Sequence, residues 1–128
     1  MKLLFKGGKI VDVFSGALNE ADVLVENGVI AGIGSYPEKD ADEVVDCSGK
    51  YLSPGFIDGH IHIESTMLSP AEFAKAVIAR GTTAVVADPH EIANVLGEVG
   101  IDYMLESSRG LPVSVYIALP SCVPATPY

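Results

Sequence analysis

Tryptophan is absent from these 128 residues, cysteine occurs twice and histidine three times. Basic residues are also scarce: eight Lys and Arg stand against 17 Asp and Glu, a formal charge of −9. Nucleic acid and anionic membrane surfaces require a basic patch. The few cations here are scattered, so neither partner is expected. Cys47 and Cys122 lie far apart and outside any Cys-x-x-Cys pattern, and read as reduced, buried thiols of a cytoplasmic protein. Leu3-Leu4-Phe5 is too short an apolar run for a signal-peptide core, and no run approaches the length of a membrane span. The chain is long enough to bury a core. It is too short for a complete eight-stranded β/α barrel, which takes about 250 residues.

The stretch from Pro54 to Thr66, Pro-Gly-Phe-Ile-Asp-Gly-His-Ile-His-Ile-Glu-Ser-Thr, concentrates the chemistry. It reads as a buried strand running into a polar end. Side chains alternate along a strand, so Asp58, His60, His62 and Glu64 share one face, while Ile57, Ile61 and Ile63 share the other. Imidazoles and carboxylates gathered on an apolar strand are costly to bury without a partner. A divalent cation is the simplest one. His60 and His62 would ligate it together, and Asp58 would hold an imidazole from behind.

Before this stretch, residues 1–53 read as short strands with turn punctuation. Gly7-Gly8 is read as a turn between two strands. Asn27-Gly28 between apolar runs is a strong hairpin signal. Residues 54–128 have a different texture, with strands alternating with helices as in parallel βαβ units. Ser69-Pro70-Ala71-Glu72 is a capping box that opens a helix running to about Arg80. Phe73, Ala74, Val77 and Ile78 form its apolar face. Thr82 to Ala87 is the second strand. Glu98 to Arg109 is the second helix, with a stripe of Ile101, Met104 and Leu105. Val113 to Leu119 is the third strand.

The run Pro-Gly-Phe-Ile-Asp-Gly-His-Ile-His resembles the first barrel strand of the amidohydrolase superfamily. Its continuation Ile-Glu-Ser-Thr-Met-Leu-Ser-Pro, together with Asp88-Pro89-His90-Glu91-Ile92-Ala93-Asn94, resembles the bacterial and archaeal adenine deaminase family in particular. The resemblance covers essentially the whole chain. It implies an α/β fold, the start of a (β/α)8 barrel, preceded by part of a small β-sandwich. Residues 1–53 would form the sandwich part, and 54–128 the first three strands and two helices of an incomplete barrel. The chain therefore reads as an N-terminal fragment, inactive alone.

Barrel active sites lie at the carboxyl ends of the strands. That rule gathers His62, Glu64, Asp88, His90 and Ser121 at one rim. The resemblance implies hydrolytic deamination of adenine to hypoxanthine and ammonia. A divalent metal would lower the pKa of a water, in a centre expected to be binuclear and to hold manganese or iron rather than zinc. His60 and His62 match the family's first-strand ligands, and the remaining ligands would lie beyond residue 128. His90 is assigned to catalysis, through the substrate or the proton-transfer network, and Glu64 and Asp88 to substrate. The full-length enzyme is expected to be a cytoplasmic homo-oligomer. Two alternatives stand beside this: another amidohydrolase acting on a cyclic amide or N-acetyl sugar, or a non-catalytic module on the same scaffold.

Overall fold

The computed structural model describes residues 1–120 and 122–125, and these fall into two compact units, Met1–Pro54 and Gly55–Tyr128. The first is a mixed sheet of five strands. Strand β1 (Lys2–Val11) lies antiparallel to β2 (Leu18–Glu26), and β2 pairs antiparallel with β3 (Val29–Gly34). The link between β2 and β3 is Asn27-Gly28, with both residues at positive φ (51° and 81°) as the tight hairpin requires. On its other edge β1 takes the parallel strands β4 (Glu43–Asp46) and β5 (Tyr51–Leu52).

Gly7-Gly8 does not separate two strands. β1 is continuous through it, and the pairing with β2 slips between Phe5 and Gly8 as a bulge. The reason lies 15 residues beyond Gly7. One oxygen of the buried Asp22 carboxylate accepts the Gly7 N–H at 2.9 Å, and the other accepts the Tyr36 N–H at 3.1 Å. Gly7, at φ 70°, supplies the left-handed backbone the bulge needs.

The second unit is a parallel sheet in the order β6 (Phe56–Ile61), β7 (Thr82–Ala87), β8 (Ser114–Ile117). Helix α1 (Pro70–Ile78) connects β6 to β7. Ser69 caps it, its hydroxyl accepting the Glu72 N–H. Two helices rather than one connect β7 to β8: α2 (His90–Leu96) and α3 (Glu98–Ser107). Gly97, at φ 62°, breaks what would otherwise be one helix. Helical periodicity alone missed α2 because a helix of 7 residues is too short to display the period.

Val85 and Ala87 of β7 pack with Ile63, Phe73, Ala74, Met104 and Val113 into a core, against which Val77, Ile78 and Ile92 are also set. Leu105, expected in the α3 stripe, is instead 45% exposed. Cys47 is buried as expected, whereas Cys122 is exposed. Among the described residues no helix is long and apolar enough to cross a membrane.

Candidate metal centre

The carboxyl ends of β6 and β7 are tied together by main chain: the Asp88 N–H donates to the Ile61 carbonyl at 2.9 Å. β6 ends at Ile61, one residue short of His62 and earlier than strand alternation suggested. Ile63 turns into the right-handed helical region, and Glu64–Thr66 form a 3-10 turn. Thr66 closes that turn from both sides, its N–H and its hydroxyl donating to the Ile63 carbonyl at 3.0 and 2.6 Å. Glu64 therefore leaves the face shared by the two histidines. Its Oε1 accepts the Ile92 N–H of α2 at 3.3 Å, and beside it the Ser65 hydroxyl donates to Glu91 Oε1 at 2.5 Å.

His60 and His62 do converge, with their Nε2 atoms 3.1 Å apart. His62 Nδ1 lies 3.0 Å from the Asp88 carbonyl oxygen. A carbonyl can only accept, so Nδ1 carries the proton. In the neutral ring that leaves an Nε2 lone pair facing His60. Two nitrogens each about 2.0–2.1 Å from one ion, and roughly 90–110° apart as seen from it, stand about 2.9–3.4 Å from each other. The observed separation fits that pair.

The Asp88 carboxylate supplies a third group. His60, His62 and Asp88 each offer one ligand atom, all within 4.8 Å of one another. Asp88 Oδ1 also accepts the His90 N–H at 3.2 Å, and its Oδ2 lies 3.2 Å from His90 Nδ1. That last pair is close without meeting hydrogen-bond geometry, so His90 Nδ1 is buried and unpartnered, as are one oxygen of Glu64 and one of Glu91. The His90 ring stands edge-on to His62, centroids 4.7 Å apart.

His62, His90 and Glu91 form a second close group of possible ligands. His62 has only one uncommitted nitrogen, so the two groups compete for it. The nitrogen and oxygen donors suit several divalent metals and do not choose among them.

Asp58 sits differently from its expected place. Its Oδ1 accepts the His60 backbone N–H at 3.1 Å, fixing main chain where an imidazole contact was expected. Ser121 lies outside the described residues. Glu91, Ser65 and Asn94 were left without a role by sequence reasoning. Asn94 had a signal: it falls four residues after His90 on a helix, the spacing at which a short polar side chain reaches the earlier carbonyl.

Parallel strands connected by helices, with histidines and carboxylates gathered at the carboxyl ends of β6 and β7, have the arrangement of the opening of a β/α barrel. The sequence model of the Amidohydrolase family matches residues 51–127, and the chain belongs to that family. Among its relatives, the adenine deaminase of Listeria innocua is 52% identical over 124 residues, a match spanning 97% of this chain and 21% of that protein. The adenine deaminase of Kosmotoga olearia is 55% identical over the same shares. The chain thus spans about a fifth of the length of the curated relatives it matches. Among solved structures, a D-hydantoinase superposes with a TM-score of 0.66 at 25% identity, covering 91% of this chain and 26% of that one. A D-aminoacylase described for its binuclear metal centre gives 0.66 at 26%, covering 92% and 29%.

Proposed function

We propose that the protein of which this chain forms a part hydrolyses adenine to hypoxanthine and ammonia. The observation that carries this reading is the convergence of His60 Nε2 and His62 Nε2 at 3.1 Å, with the Asp88 carboxylate beside them. Its support is the family membership together with relatives named adenine deaminase at over half identity.

In this reading His60 and His62 hold a divalent metal, manganese or iron, in a centre that is binuclear when complete, and Asp88 is placed to ligate it or to meet substrate. The metal, when bound, lowers the pKa of a water. The water oxygen joins the ring carbon that bears the amino group, and the bond to that nitrogen breaks. One water proton leaves with the amine as ammonia, and the other remains on the product lactam. His90 moves the proton: its unpartnered Nδ1 lies 3.2 Å from the Asp88 carboxylate. Asp58 holds the His60 backbone in register, and Glu64, assigned to substrate, fixes the start of α2, its second oxygen buried without a hydrogen-bond partner.

A phosphorylated sugar is disfavoured as substrate. Lys75, Arg80 and Arg109, the basic residues of the second unit, all fall on or just after helices α1 and α3, away from the strand ends. In the same reading residues 1–53 belong to a β-sandwich and 54–128 open the barrel, and the intact protein is a cytoplasmic homo-oligomer. The deciding assay measures ammonia release by the full-length, metal-loaded protein from adenine and from a panel of cyclic amides. Turnover of a cyclic amide with adenine inert would reject the proposal.

A further inference from the structure

We propose that Asn94 is a positioning residue: it seats the segment after β8 against the helix that carries His90, and so builds one wall of the substrate pocket. The proposal rests on the deaminase reading above. The Asn94 side-chain nitrogen donates to the His90 carbonyl and to the Cys122 carbonyl, both at 2.8 Å, and its oxygen accepts the Ala125 N–H at 2.9 Å. The orientation of this amide is forced. Two carbonyls can only accept and an N–H can only donate, so a flipped amide would set oxygen against two oxygens and nitrogen against a donor.

One side chain therefore joins the helix that follows β7 to the segment that leaves the neighbouring strand β8 at its carboxyl end. β8 is the neighbour of β7, and its continuation is held at the start by the Ala118 N–H donating to the Ala87 carbonyl at 2.8 Å. Beyond that point Leu119 is 95% exposed, and Cys122 to Ala125 are exposed as well. Apolar burial contributes little to fixing this segment, so the polar clamp at Asn94 sets where its backbone lies. Loops at this end of the barrel supply the substrate-contacting groups. A flat heterocycle with donors and acceptors around its edge is recognised by such fixed backbone groups. Asn94 touches neither His60 nor His62 and reaches His90 only at its main-chain carbonyl, so it acts on substrate binding and leaves the metal in place.

The test uses the full-length, metal-loaded protein with Asn94→Ala and Asn94→Asp. Hydrogen exchange followed by mass spectrometry should show faster exchange at Ala125 in both. KM for adenine should rise about five- to tenfold in Asn94→Ala, the equivalent of one or two net hydrogen bonds, while kcat stays within about twofold. Asn94→Asp should be worse than Asn94→Ala, because its carboxylate would face two carbonyl oxygens. Metal content should match wild type in both. Unchanged exchange would overturn the clamp. Faster exchange with an unchanged KM, or a loss of activity that tracks lost metal, would overturn the positioning role. A wild-type protein inert toward adenine would reject the deaminase reading separately, and the exchange arm would then decide the clamp alone.

Discussion

The Nδ1–H of His62 donates to the main-chain carbonyl of Asp88, across the gap between the ends of two parallel strands. Because the acceptor is main chain, its position depends on the β6–β7 pairing and on no side-chain rotamer. The sheet itself thus selects the tautomer of His62 and points its free nitrogen at His60.

Removing that free nitrogen should remove the metal. In the full-length protein, His60→Ala and His62→Ala are each expected to lower bound metal at least tenfold by elemental analysis, as ligand loss does (on the order of 10–100-fold even for supporting residues). Full metal retention in the double variant would reject the assignment.

The His60–His62 pair was legible because alternation on a strand is a two-residue rule that the sequence displays directly. The end of the strand was not. It depends on Thr66 folding back onto the Ile63 carbonyl, and that contact turned Glu64 from a presumed neighbour of the histidines into a support for α2. The continuity of β1 was hidden for a similar reason: Gly7-Gly8 looks like a turn until Asp22, distant in sequence, is seen to satisfy the bulged N–H. Local patterns recovered the strands, the Ser69 cap and the Asn27-Gly28 hairpin. Hydrogen bonds between distant residues decided what they could not.

His90 is expected to affect rate more than folding. It is half-buried at the first position of α2, and its ring nitrogen Nδ1 has no hydrogen-bond partner that the fold would lose. His90→Ala should lower kcat by about 100-fold or more, the usual scale of proton-transfer catalysis. Metal content should be unchanged and the melting temperature should shift by only a few degrees. Equal activity at equal metal content would remove His90 from the mechanism.

Asp22 should make the first unit acid-sensitive. The backbone N–H groups of Gly7 and Tyr36, followed by the nearby Lys6 ammonium, hold its carboxyl below the usual carboxylate value. A carboxyl with a lowered folded-state pKa stabilises fully above its unfolded pKa of 3.8, and that stability is lost as pH falls through the folded value. Asp22→Asn should cost about 1–3 kcal/mol at pH 7, the worth of hydrogen bonds to a charged acceptor. The gap between variant and wild type should close on acidification below pH 3.8. Chemical denaturation at neutral and acid pH measures both. A gap that persists unchanged at low pH would mean the charge of Asp22 contributes nothing.

The 128-residue chain, expressed alone, should associate and should not deaminate adenine. Its parallel sheet has three strands, with β6 and β8 on the outside, each pairing only with β7 among the described residues. An unpaired parallel edge offers backbone donors and acceptors to any other extended chain. Large apolar side chains accompany those edges: Phe56 is 62% exposed and Ile57 70% exposed on β6, and Tyr116 is 61% exposed on β8. The sheet of the first unit is open as well, since Ile30 of β3 is 62% exposed and Ile33 58%. On the chemical side, two imidazoles and one carboxylate are too few to hold both ions of a binuclear centre, and affinity falls with each missing ligand. Size-exclusion chromatography with light scattering, combined with elemental analysis and an ammonia-release assay, tests all three parts together. The expected result is a polydisperse, metal-poor and inactive species. A monomer of this length that holds a full complement of metal and turns over adenine would show that the edges are tolerated and that the ligands present suffice.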